Sequence, residues 1–157
     1  MKTWPAAGEE VWSELSAVPG RVALLVDDPE STLALRFAEL RHTTPLHVGR
    51  VLSGSLTVPT ERQIRSILRD APVLVGTAIL FDPVLGLDAA RLFQALARQE
   101  PGRVIEWPVA TTSSPFRWPG DDGSRPVSPA LESSLLLTAR TTVFDDEVPF
   151  TLERLRR

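Results

Sequence analysis

The chain contains no cysteine. That excludes disulfides and cysteine-based zinc sites, and it suits a reducing compartment. Lys2 is the only lysine, so the basic charge is carried almost wholly by arginine. No apolar run approaches the roughly 18–20 residues of a membrane span. The N-terminal stretch MKTWPAAGEEVWSEL carries acids where a signal peptide would carry an apolar segment. These absences predict a soluble, cytoplasmic protein with no membrane partner. There is no G-x-S-x-G, hence no nucleophile elbow, and no internal repeat. His42 and His47 lack the i, i+4 spacing of a helical metal pair. The net charge of −3 argues against a protein that coats nucleic acid, because such affinity comes mainly from basic residues on phosphates.

What is present is a chain of 157 residues, 43% of them apolar, which fits one domain with a real core. Helical spacing over Ala6 to Leu15 puts Val11, Trp12 and Leu15 on one side, and Pro19-Gly20 ends it. Arg21 to Val26 is a short apolar run that reads as a buried strand. Ser31 to Arg41 is helical, with Leu33, Phe37 and Leu40 on one face. Leu46 to Leu52 reads as a second strand. Thr60-Glu61-Arg62-Gln63 has the form of a capping box, and the helix it opens runs to about Arg69 with Ile64, Ile67 and Leu68 inward. Val73 to Phe81 reads as a strand. Asp88 can cap a helix to Gln99 that buries Leu92, Phe93 and Leu96, and Val104 to Trp107 forms the next strand. Thr111 to Pro129 is rich in Ser, Pro and Gly and reads as a long surface loop at about 110–130. Leu135 to Phe144 forms a last strand, and the tail PFTLERLRR a short helix. The alternation of strand and helix predicts one α/β domain over 1–157, a three-layer sandwich with a mostly parallel sheet of about five strands.

In open α/β sheets ligands sit at the carboxyl ends of strands. The turn after the first strand reads Asp27-Asp28-Pro29-Glu30-Ser31-Thr32. A phosphate-binding loop needs glycines for close backbone approach and a lysine for the phosphate charge. Neither is there, the three acids would repel ATP, and only Ser31 and Thr32 match the hydroxyl end of such a motif. The turn reads instead as a helix start that favours negative charge. A metal-dependent enzyme using Asp27, Asp28 and Asp82 is a competing reading, although an Asp before Pro is more often a turn former. Arg62, Arg65 and Arg69, at spacings of three and four, share one helix face that could meet phosphates or an acidic partner. Local pairs to Glu61 and Asp70 are the structural alternative. Phe116, Arg117 and Trp118 lie together in the polar loop, the pattern of a partner anchor, or of a loop folded back over the sheet edge.

One dense stretch carries a resemblance. Leu80-Phe81-Asp82-Pro83 is followed by Leu85, Asp88, Arg91-Leu92, Gln94, Leu96 and Arg98, and then by a strand ending in Trp107-Pro108. Gly49 to Leu52 and Glu61 to Gln63 agree more loosely. Over about two thirds of its length the chain resembles the small P-loop proteins of bacterial BREX phage-exclusion systems, the BrxF type. The resemblance implies a P-loop-like sandwich with a phosphate-binding loop at Asp27 to Thr32. It also implies a metal-binding Asp and a catalytic-type Glu just before Leu80, at positions that hold Val75 and Ala78 here. Both halves of the nucleotide chemistry are therefore missing. The expectation is a pseudo-ATPase without a cofactor, a non-enzymatic interaction subunit of an antiviral complex. Its implied partner is a protein, such as the large ATPase of the same complex, rather than nucleic acid on its own. A nucleic-acid- or nucleotide-binding module that uses the arginine stripe is the runner-up.

Overall fold

Leucine and valine run with one alanine through Val22–Val26 (β1), and all five residues are buried. A strand covered on both faces requires that pattern. The computed structural model describes residues 3–54, 56–108, 133–140, 144 and 146–154. It places β1 inside a six-stranded sheet. The remaining strands are β2 (Leu46–His47), β3 (Val73–Val75), β4 (Arg103–Glu106), β5 (Leu135–Ala139) and β6 (Phe150–Arg154). Their order across the sheet is β2-β3-β4-β1-β5-β6. All neighbours are parallel except β5 and β6. The fold is therefore α/β with a mostly parallel sheet of six strands.

The helices are α1 (Ala6–Ala17), α2 (Thr32–Glu39), α3 (Val48–Ser53), α4 (Glu61–Leu68) and α5 (Ala89–Gln99). Strand alternation divides them between two faces. Val22, Leu24 and Val26 point into a core shared with buried residues of α3, α4 and α5. Ala23 and Leu25 point into a second core with Val11, Trp12 and Leu15 of α1 and Leu33, Ala34 and Phe37 of α2. The capping box of α4 is complete: Gln63 N–H donates to Thr60 Oγ1 at 3.2 Å, and Thr60 N–H to Gln63 Oε1 at 2.8 Å. Asp88 caps α5 by accepting from Arg91 N–H at 3.2 Å.

The structure departs from the sequence expectations in five places. The sheet has six strands rather than about five, because the tail expected to be helical is β6. There Phe150 is buried and Thr151 exposed, the period of a strand with one covered face. The expected strand Leu46 to Leu52 keeps only two strand residues before turning into α3. The expected strand Val73 to Phe81 stops at Val75, because Gly76 takes a left-handed conformation and Thr77–Phe81 forms a 3₁₀ turn. The last expected strand, to Phe144, ends at Ala139. Ile67, expected inward on α4, is 41% exposed, while Ile64 and Leu68 are buried.

Arg103 opens β4 and is the largest buried polar side chain, 1% exposed. Its guanidinium donates to the carbonyls of Leu68 (2.9 Å), Ala71 (2.6 Å) and Arg69, and through Nε to Glu100 O (3.2 Å). These include carbonyls that the end of α4 cannot satisfy within the helix. Burial pushes the Arg103 pKa down, against the favourable fields of Glu100 and Asp70; a guanidinium nevertheless stays charged.

Phe93 on α5 is fully buried. It meets Phe81 edge-on at 6.3 Å between ring centroids, and Phe81 meets Trp107 at 5.1 Å. The aromatic residues of the L-F-D-P and W-P segments thus form one packing unit against α5. Replacing Phe93 by Ala should cost about 3–5 kcal/mol, read as a lower midpoint in urea. An unchanged midpoint would show that the ring does not hold this unit together.

Candidate functional site

Three segments meet at the carboxyl edge of the sheet. They are the turn after β1, the turn after β3, and the end of β4, which lies between those two strands. The first turn holds left-handed backbone at three residues, none of them glycine. Asp27, Glu30 and Ser31 have φ of 56°, 57° and 57°. Each such residue costs roughly 1–2 kcal/mol relative to a relaxed conformation.

Two carboxylates hold this backbone. Asp28 Oδ1 accepts from Leu33 N–H at 2.8 Å and Oδ2 from Ala34 N–H at 2.9 Å. These are orphan donors of the first turn of α2, the groups that would face an anion at a helix N-terminus. Glu106, the last residue of β4, reaches across the crevice. Its Oε2 accepts from Ser31 Oγ–H at 3.2 Å and its Oε1 from Gly76 N–H at 3.0 Å. Thr77 Oγ1–H donates to Glu106 O at 2.5 Å. A single side chain therefore joins the turn after β1 to the turn after β3. Gly76 has no alternative residue type: its φ is +61°, and an added Cβ would come within 2.3 Å of the His47 ring.

Of the residues expected to form a degenerate nucleotide site, Asp28 and Ser31 are brought into these contacts, and Asp27 and Thr32 flank them. Thr32 is exposed and donates through its hydroxyl to Pro29 O at 3.1 Å. Val75 ends β3 and is buried in the core, whereas Ala78 is exposed. Neither position supplies a carboxylate. Asp82 Oδ1 accepts from Val84 N–H at 2.9 Å, so it forms a turn. Among the described residues no three His, Asp or Glu side chains lie together as a metal site. Glu106 escaped the sequence reading because it appeared only as a letter before Trp107-Pro108. Its signal is an acid closing a short strand at the carboxyl edge, where α/β sheets bind ligands.

Arg62, Arg65 and Arg69 do come together. With Glu61, Ser66 and Gln99 they line an open groove beside α4. The pairs expected to Glu61 and Asp70 are not made: among the described residues none of the three guanidiniums has an ion-pair partner. Phe116, Arg117 and Trp118 lie outside the described residues. Comparison with protein-family models, with curated proteins and with solved structures gave no match.

Burial pushes the Asp28 carboxyl above the ordinary carboxylate range, and the two amide bonds oppose that shift without cancelling it. The folded state therefore holds this proton more tightly than the unfolded state does. The contribution of Asp28 to stability is greatest below its unfolded pKa and declines as pH rises through the folded value. Urea unfolding of the native protein and of Asp28→Asn should show this. Relative to the variant, the native protein should gain stability from pH 7 down to about pH 4. A relative loss would mean that the amide bonds outweigh burial. The strained turn gives a second test. Glu30→Gly should stabilise by on the order of 0.5–1 kcal/mol, because release of left-handed strain exceeds the entropy glycine adds to the unfolded chain. A lower unfolding midpoint would show that the Glu30 side chain contributes more than its backbone costs.

Proposed function

We propose that the chain is a non-enzymatic interaction subunit of a bacterial antiviral complex of the BREX type, built on a P-loop-like scaffold whose nucleotide site is degenerate. The observation that carries this reading is that Asp28 and Glu106 hold the donors a phosphate would need. A triphosphate entering the crevice would meet two carboxylates in place of open N–H groups, with no lysine among them. Like charges a few ångströms apart in a partly buried site repel strongly. The donor set does not fit Mg-ATP, since Val75 and Ala78 bring no carboxylate to a metal ion. The order of strands and helices supports the scaffold half of the reading, and the L-F-D-P and W-P stretch supports the family half. A nucleic-acid-binding module is the second reading, favoured by the groove that gathers Arg62, Arg65 and Arg69, which have no ion-pair partner among the described residues.

Calorimetry with Mg-ATP should give no saturable heat at sub-millimolar nucleotide. Affinity capture of the intact chain from its native host should recover a large ATPase of the same defence complex, and the capture should persist when ATP is removed. A micromolar binding isotherm, or phosphate release from ATP, would overturn the pseudo-ATPase reading. Capture of no member of such a complex would overturn the assignment to it.

A further inference from the structure

From the groove beside α4, we infer that Arg62, Arg65 and Arg69 dock a short acidic segment of a protein partner, with carboxylates spread over about 10 Å. The inference deepens the interaction-subunit reading and rests on it. Three observations carry it. The three guanidiniums share one groove and, among the described residues, have no ion-pair partner. The stripe is not needed to finish α4, because carbonyls at the end of that helix already accept from the buried Arg103. Cations near a helix C-terminus often serve that purpose, and here it is served by another residue. The chain as a whole carries a net charge of −3, so this local run of positive charge stands against the overall balance.

The ends of the stripe select the class of partner. Glu61, which itself lines one end of the groove, precedes Arg62, Asp70 follows Arg69, and both acids are exposed. A polyanion running past the stripe in both directions would meet a negative charge at each end. A short acidic patch on a protein would stop inside those limits, and basic residues at its flanks would be favoured. Duplex DNA offers a charge about every 3.4 Å per strand, so a stripe of this length reaches only about three phosphates before it ends. Guanidiniums suit carboxylates well, because the planar fork can donate two parallel N–H bonds to one carboxylate. Ser66 and Gln99 add neutral polar groups to the same groove.

The test uses the whole chain and a labelled helical peptide of about 20 residues, long enough to hold a helix in water. Its glutamates are spaced i, i+3 and i+7, and the control peptide carries glutamine at those positions. Fluorescence anisotropy at about 0.05 M and 0.3 M salt reads the affinity, since the Debye length shrinks about 2.5-fold between those conditions. The glutamate peptide should bind weakly, in about the millimolar range, and weaken with salt, and the glutamine peptide should bind roughly tenfold more weakly or not at all. Changing Arg62, Arg65 and Arg69 together to Gln should remove the difference between the peptides. Far-ultraviolet dichroism and the unfolding midpoint should stay unchanged, since the three side chains lie along an open groove. Equal binding of both peptides would overturn the proposal. So would a duplex or single-stranded DNA that binds more tightly than the glutamate peptide and loses that binding in the same variant. A destabilised triple variant is replaced by the single changes Arg62→Gln and Arg69→Gln, each of which should weaken the glutamate peptide alone. The outcome is separate from the nucleotide titration: ATP binding would remove the degenerate-site reading and leave the groove result standing, and the reverse also holds.

Discussion

Backbone polar groups that leave water must find partners, and in this fold the four residues of β4 supply those partners at both ends of the sheet. Arg103, at its start, donates to carbonyls at and beyond the end of α4. Glu106, at its end, accepts from the turn after β1 and the turn after β3. Between them Val104 and Ile105 are fully buried, one in each core. A charged residue at each end of so short a strand would be costly if either were unpaired. Each is instead surrounded by groups of the complementary kind, donors for the acid and acceptors for the base. Charge-assisted bonds of this sort contribute about 1.5–3 kcal/mol each, and losing one partner strands the other groups. The positions of α4, β1 and β3 relative to β4 are therefore set by polar geometry as well as by apolar burial.

The same requirement explains the turn after β1. Three non-glycine residues there hold left-handed backbone, a conformation glycine adopts without steric cost. The turn persists because Asp28 satisfies two amides of α2 and Glu106 holds Ser31. In a site built for phosphate, the ligand would complete those donors. Here the chain completes them itself, so the crevice is closed electrostatically without being filled by apolar side chains. The left-handed backbone of this turn is thus held without glycine, by carboxylates of the chain itself.

Much of the fold was legible where local signals agreed. The complete capping box at Thr60 to Gln63, Asp88 before α5 and the uninterrupted apolar β1 each combine propensity, pattern and punctuation. Legibility failed where a single residue decides. Gly76 breaks an apolar run that otherwise reads as strand to Phe81, and its constraint comes from His47, which is remote in sequence. β6 alternates buried Phe150, exposed Thr151, half-buried Leu152 and exposed Glu153, but the short charged tail equally suits a helix until β5 is available to pair with it. Ile67 fits the inward spacing of α4, yet the helix covers its core with Ile64 and Leu68 alone. The candidate site at the carboxyl edge was half legible. The missing glycines and lysine are visible as letters, whereas the Glu106 bridge links positions 75 residues apart along the chain, and no local pattern predicts it.

The two candidate regions lie at opposite ends of the strands. The Glu106 crevice is at the carboxyl edge, where β1, β3 and β4 finish. Helices that connect parallel strands run back against them, so α4 and α5 end at the amino edge, just before β3 and β4 begin. Arg69 follows the last turn of α4, and Gln99 ends α5, so the arginine groove approaches that amino edge. A partner seated there would not cover the crevice and would not need it open. In a nucleotide-driven protein the partner surface and the nucleotide site must be coupled, because a ligand can shift an equilibrium only through differential contacts in two states. On the proposed reading, donors already taken by Asp28 and Glu106 leave a nucleotide no such differential contact to make. Docking on the arginine groove is then, on the same proposed reading, independent of the carboxyl edge, because β4 separates the two with Arg103 at one end and Glu106 at the other.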